Sequence, residues 1–131
     1  MSRGRGSAAR GRADAGSGLE VKRGAHGRGV FATRRYLKGQ LVEKCPTVEL
    51  PDSDVTGRLG DYVYTSVNAN DVLLVLGYGM LYNHSENPNV EYVQDDPSTM
   101  TFLALRTVRP GDELTIDYGD EWWETRGLKP G

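Results

Sequence analysis

Cysteine occurs once in the chain, at Cys45, and histidine twice, at His26 and His84. A single thiol excludes an intrachain disulfide and a cysteine-based zinc cluster, and it fits a reducing compartment. With two histidines a metal centre would need carboxylate ligands, and no fixed-spacing motif of that kind occurs, so no metal is expected. The longest apolar run, Val72 to Leu76, is far too short to cross a bilayer, and the first 18 residues hold no hydrophobic region of a signal peptide. A soluble protein with no membrane partner is the expectation. A sustained helical period is missing as well, and neither a Gly-x-Ser-x-Gly nucleophile turn nor a complete dinucleotide-binding glycine fingerprint is found.

The 131 residues, with net charge −2, suit one domain behind an N-terminal tail. Residues 1–18 contain Arg3, Arg5, Arg10 and Arg12 against Asp14 and lack any large apolar residue. They cannot bury enough surface to offset the entropy of ordering, so a disordered tail is expected, with residues 19–131 forming the domain. Arginine–glycine segments make weak, salt-dependent contacts with nucleic acid. A solubilising leader would explain the same composition equally well.

From Leu19 onward the pattern is one of short β-like runs punctuated by Gly and Pro: 19–22, 29–33, 40–50, 61–66, 72–76, 90–93, 100–107 and 113–118. Their spacing predicts a mostly-β domain of small sheets, with short helical turns over 52–59, 76–82 and after Asp120. Lys38-Gly39 and Pro110-Gly111-Asp112 are turn signals before strands, and each is generic enough that no repeat is inferred. The runs 40–50 and 100–107 offer edges that pair either between two chains or within one.

Three constellations carry chemistry. Gly27-Arg28-Gly29 lets a backbone approach a ligand closely, although in isolation a hairpin bend explains it better. Asn83-His84-Ser85 with Asn87-Pro88-Asn89 is turn-forming, and a lone histidine such as His84 is more often structural than catalytic. The aromatic residues Tyr62, Tyr64, Tyr78, Tyr82, Tyr92, Tyr118, Trp122 and Trp123 crowd the second half of the domain. Core packing accounts for most of them. An aromatic channel is nevertheless what a lysine stem and a cationic head require.

Taken together, His26-Gly27-Arg28-Gly29-Val30-Phe31-Ala32, Tyr82-Asn83-His84-Ser85 with Pro88-Asn89, and Gly111-Asp112-Glu113-Leu114-Thr115-Ile116-Asp117-Tyr118-Gly119 resemble, in order and spacing, the three signatures of the SET-domain protein-lysine N-methyltransferases. Compact stand-alone viral SET histone methyltransferases are the most alike in layout. The resemblance covers residues 19–126 and implies a SET (β-clip type) fold of small sheets and short helices, with a knot-like threaded C-terminal segment. It implies S-adenosylmethionine as methyl donor, held by Gly27, Arg28, Gly29, Asn83, the backbone of His84, and Trp123. Tyr118 is implied as the catalytic tyrosine, with Tyr62 also catalytic, and Tyr62, Tyr64, Tyr118 and Trp122 as the substrate channel.

The chemistry agrees. Methyl transfer from a sulfonium to an amine needs alignment more than acid catalysis, and an aromatic, poorly solvated channel lowers an ammonium pKa by desolvation and like-charge repulsion. Tyr118 is assigned positioning and electrostatics, since an unperturbed tyrosine titrates near ~10. Arg28 and Trp122 stand where viral relatives have tyrosines. Ile116 stands where many members use Phe or Tyr to set the number of methyl groups, so that rule does not carry over. The acidic residues Asp95, Asp96, Asp120, Glu121 and Glu124 suit a basic peptide. A histone tail, H3 by resemblance, is the expected substrate, with nuclear or chromatin location following from it, and viral relatives also raise a homodimer. The competing reading is a catalytically silent SET module that binds peptide or nucleic acid.

Overall fold

The computed structural model describes residues 18–68 and 70–119. The tail, the helix expected after Asp120, the acidic residues Asp120, Glu121 and Glu124, and both tryptophans, Trp122 and Trp123, lie outside the described residues.

The strands are β1 (Leu19–Gly24), β2 (Gly27–Ala32), β3 (Leu41–Pro51), β4 (Tyr64–Thr65), β5 (Asp71–Val75), β6 (Asn83–His84), β7 (Val90–Asp96), β8 (Thr99–Ala104) and β9 (Glu113–Ile116). They form a four-stranded sheet in the order β1-β2-β9-β6 and a five-stranded sheet in the order β4-β5-β3-β8-β7. Alternation drives the assignment: in β8, Met100, Phe102 and Ala104 point inward, and in β9, Leu114 and Ile116 do so. Val30, Ala32, Leu114 and Ile116 from one sheet join Val42, Cys45, Leu73, Val75, Phe102 and others from the second in one core.

Strand β3 reaches that core through a β-bulge between Leu41 and Glu43, which resets its phase, so that Val42 and Cys45 both face inward. The bulge leaves Glu43 half-buried. Its carboxylate accepts hydrogen bonds from the Tyr82 hydroxyl (2.8 Å) and the Tyr78 N–H (2.9 Å). Gly77, at φ 68°, lies so near this carboxylate that a Cβ there would collide with it, and a Cβ on Gly79 would collide with Val75. These contacts correct the expected helix over 76–82. The segment is a run of turns, closed by Gly79 N–H to Leu76 O and Leu81 N–H to Tyr78 O; Gly77, in the left-handed region, cannot belong to a right-handed helix, and Glu43 accepts the Tyr78 N–H.

The run 61–66 also shortens to Tyr64–Thr65, because Asp61 closes the 3₁₀ turn Gly57–Asp61, which follows another at Asp52–Asp54. The edges over 40–50 and 100–107 pair with each other inside the chain, as β3 with β8. The two turn signals, moreover, are related. Tyr36 and Val108 exchange backbone hydrogen bonds (2.9 and 2.8 Å); Gly39 N–H bonds to Ala104 O as Gly111 N–H bonds to Ala32 O; and the side chains of Gln40 and Asp112 accept from Leu37 and Arg109 N–H. The turns thus form a local two-fold pair that ties the two sheets together.

Three acidic side chains of the core must stay protonated. Burial, then the neighbouring Glu43, pushes the Cys45 thiol up to about 12, and the same two causes raise Tyr82 above its usual range. Burial raises Tyr64 likewise. Their folded values lie above the ordinary 9.0 and 10.0, so the stability linked to them is complete below about pH 9 and is lost as pH rises. Urea midpoints are expected to stay level up to about pH 9 and fall steadily towards about pH 12. A midpoint that rises over that interval would contradict burial of these groups.

Candidate active site

The segment 77–89, read from sequence as turn, contains a strand that the pattern did not reveal. Asn83 and His84 form β6 and pair in parallel with Thr115 and Ile116 of β9. Two residues are too few to show a period of two, so only the fold exposes them. Side chains lock the pairing. Asn89 donates from Nδ2 to Glu113 O (2.9 Å) and accepts at Oδ1 from Thr115 N–H (2.8 Å), while Arg106 donates to the carbonyls of Pro88 and Asn87. His84 Nδ1 accepts the N–H of Tyr118 (3.0 Å), which stops β9 at Ile116 and turns the chain towards the cleft. The histidine side chain is therefore a structural clamp.

Tyr118 sits at the meeting point of two spaces. A cleft of about 850 Å³ is lined by Tyr62, Tyr64, Tyr92, Ile116 and Tyr118, with Asp52, Asp61 and Asp71 among its outer residues. A smaller pocket of about 170 Å³ is lined by Arg28, Tyr62, Met80, Leu81, Tyr82, Asn83 and Tyr118. Tyr62, Met80, Tyr82, Asn83 and Tyr118 belong to both.

The polar atoms at this junction are tightly placed. The Tyr118 hydroxyl donates to the carbonyl of Tyr82 (3.1 Å). Burial, then Tyr62 and Glu113, raises the Tyr118 phenol above its usual range, so it stays neutral. Burial, then Asp117, does the same for Tyr92, whose hydroxyl donates to Asp117 O (3.1 Å). Tyr64 donates to Gly79 O and packs edge-on against Tyr92 at 5.1 Å. Asn83 Nδ2 donates to Arg28 O (3.0 Å) and Glu113 Oε2 (2.7 Å).

The residues singled out in the sequence thus converge in part. Tyr62, Tyr64, Tyr118, Asn83 and Arg28 line the two spaces. Gly27 and Gly29 sit in β2, beyond a two-residue hairpin, with Gly29 buried beside Asn83 and Glu113. His84 lines neither space. Tyr82, Met80, Tyr92 and Glu113 were missed: the first three carried the same signal as core residues, and Glu113 the signal of an ordinary strand start. Asp95 and Asp96 lie at the β7–β8 turn, bonded to Thr101 and Ser98, and the acidic lining comes from Asp52, Asp61 and Asp71 instead.

Comparison with known proteins agrees with this geometry. The SET domain family profile matches residues 27–119. A Schizosaccharomyces pombe histone-lysine N-methyltransferase, H3 lysine-37 specific, is 29% identical over 103 residues, covering 74% of this chain and 69% of that protein. Histone-lysine N-methyltransferase Set8 of Drosophila pseudoobscura pseudoobscura is 32% identical over 123 residues, which cover 79% of this chain and only 18% of the relative. Among solved structures, a candidate histone methyltransferase of Plasmodium falciparum superposes with a TM-score of 0.71 at 33% identity, covering 80% of this chain and 96% of that one. The matched residues include both strands that meet at Tyr118, and the chain belongs to the SET domain family of protein-lysine N-methyltransferases.

Proposed function

We propose that this domain transfers a methyl group from S-adenosylmethionine to the ε-amine of a lysine in a basic peptide, with a histone H3 tail as the favoured substrate. The observation that carries the reading is the junction: a small pocket and a larger aromatic cleft meet at one neutral tyrosine. The small pocket fits the amino-acid end of the donor. Its lining brings Arg28 for a carboxylate, an amide oxygen for an ammonium, and the rings of Tyr62 and Tyr118 beside a sulfonium, while Tyr82, its ring packed in the core, contributes its backbone. When bound, S-adenosylmethionine supplies an electrophilic methyl group on a cationic sulfur.

The chain's own residues prepare the amine. Asp52, Asp61 and Asp71 draw a basic peptide to the cleft, and the walls of Tyr62, Tyr64 and Tyr92 strip water from the lysine stem. Desolvation there favours loss of the ammonium proton to solvent. The Tyr118 hydroxyl, its hydrogen engaged by Tyr82 O, accepts an N–H of the neutral amine and so aims the nitrogen lone pair at the small pocket. Alignment of this kind can supply roughly 7–11 kcal/mol of barrier reduction. A phenolate base is not needed, and the raised pKa argues against one. The substrate class is supported by the names of the fission-yeast and fly relatives; a chromatin location would follow from it.

Calorimetric titration with S-adenosylmethionine tests the donor, and absence of binding would overturn the enzyme reading. Mass spectrometry of H3, H4 and other basic peptides incubated with the donor is expected to find added methyl groups on H3 lysine; labelling confined to non-histone peptides would remove the histone assignment. Tyr118→Phe should lower kcat by about 10²-fold while donor affinity stays within about twofold. Unchanged turnover would refute the positioning role.

A further inference from the structure

We propose that Glu113 is a positioning residue that fixes the orientation of the Asn83 amide and thereby makes the small pocket selective for a ligand carrying a cationic amine. The inference rests on the methyl-donor reading of that pocket. An asparagine amide presents an oxygen at one end and two N–H groups at the other, and nothing intrinsic to the side chain decides which end faces a ligand. Here the surroundings decide it. The Arg28 carbonyl at 3.0 Å and the Glu113 carboxylate at 2.7 Å are both acceptors, so the atom between them must be the nitrogen, with both of its hydrogens engaged. The reversed amide would set its oxygen against two other oxygens, one of them charged.

The consequence lies at the other end. Asn83 lines both spaces, and no donor from the described residues is recorded at its Oδ1. The pocket is thereby given an acceptor, which binds a ligand N–H donor and repels a carboxylate. A charged carboxylate behind the amide also favours a cation in front of it. The space for this arrangement comes from Gly29: a Cβ there would fall on the Glu113 carboxylate and 2.8 Å from Asn83 Nδ2. Glu113 itself is held through its main chain, by pairing with Phe31 and by the Asn89 bond to its carbonyl, so its side chain is free for this task without bearing the strand.

The test compares two probes by calorimetry on the full chain. S-adenosylhomocysteine carries the α-ammonium, whereas 5′-methylthioadenosine lacks the whole amino-acid end. Glu113→Ala and, separately, Gly29→Ala are expected to weaken S-adenosylhomocysteine about tenfold and leave 5′-methylthioadenosine within about twofold. Glu113→Gln, which keeps an acceptor for Asn83 Nδ2, should restore most of the loss. In turnover, Glu113→Ala should raise the KM for the donor with kcat little changed. Equal weakening of both probes by Glu113→Ala would reduce Glu113 to a structural residue and overturn the proposal, as would no weakening of either. If the unmodified protein binds neither probe, the donor reading itself falls and takes this inference with it.

Discussion

The parallel pairing of Asn83–His84 with Thr115–Ile116 is the constraint on which the site depends. Two-residue parallel ladders are weak by themselves, since each provides few backbone hydrogen bonds and neighbouring segments must supply the rest. Asn89 supplies them from one side and the His84 imidazole from the other, and both act on β9 or the residues just beyond it. The arrangement converts two segments about thirty residues apart into one surface. Without it Tyr118 would follow the strand direction outward; with it, the hydroxyl points back to the carbonyl of Tyr82, directly before Asn83.

A second support comes from beneath. Glu43 lies on the inward face of β3, opposite the buried Phe102 and beside the bulge, and uses both oxygens on the segment 77–82. Tyr82 is therefore fixed at its hydroxyl by Glu43 and at its carbonyl by Tyr118. A chain of hydrogen bonds so arranged transmits position: a shift in the core bulge moves the acceptor of the proposed catalytic hydroxyl.

Legibility in the sequence followed the range of the interactions. Strands β1, β2, β3, β5, β7, β8 and β9 are visible because alternation or a β-branched run is a local property. Strand β6 was hidden, since its two residues become a strand only by meeting β9. The absence of a helix over 76–82 follows from the left-handed Gly77, packed against Glu43 from far away in the chain. At the site, Tyr118 and Asn83 were legible through ordered motifs, and Tyr62 as one of the crowded aromatic residues. Tyr82, Tyr92 and Glu113 were not, because an aromatic or a strand-initial glutamate gives the same local signal whether it packs, anchors or faces a ligand. The likeness of the two turns at Gly39 and Gly111 was visible in the residues, yet only the exchange of hydrogen bonds between Tyr36 and Val108 gives it meaning.

The placement of charge around the junction has a physical logic under the proposed reaction. A carboxylate in direct contact with the incoming lysine would hold it as ammonium, which has no lone pair to donate. The groups that share both spaces carry no formal charge: the side chains of Tyr62 and Tyr118, the Tyr82 backbone, the Asn83 amide and the Met80 thioether. Glu43 stands behind Tyr82 and Glu113 behind Asn83, neither lining the two spaces and each neutralised in part by the donors it accepts. Farther out, Asp52, Asp61 and Asp71 face the open cleft, where a charged side chain still has water around it. A lysine moving inward thus meets attraction first and desolvation second, so its positive charge is favoured during capture and disfavoured where the nitrogen must react.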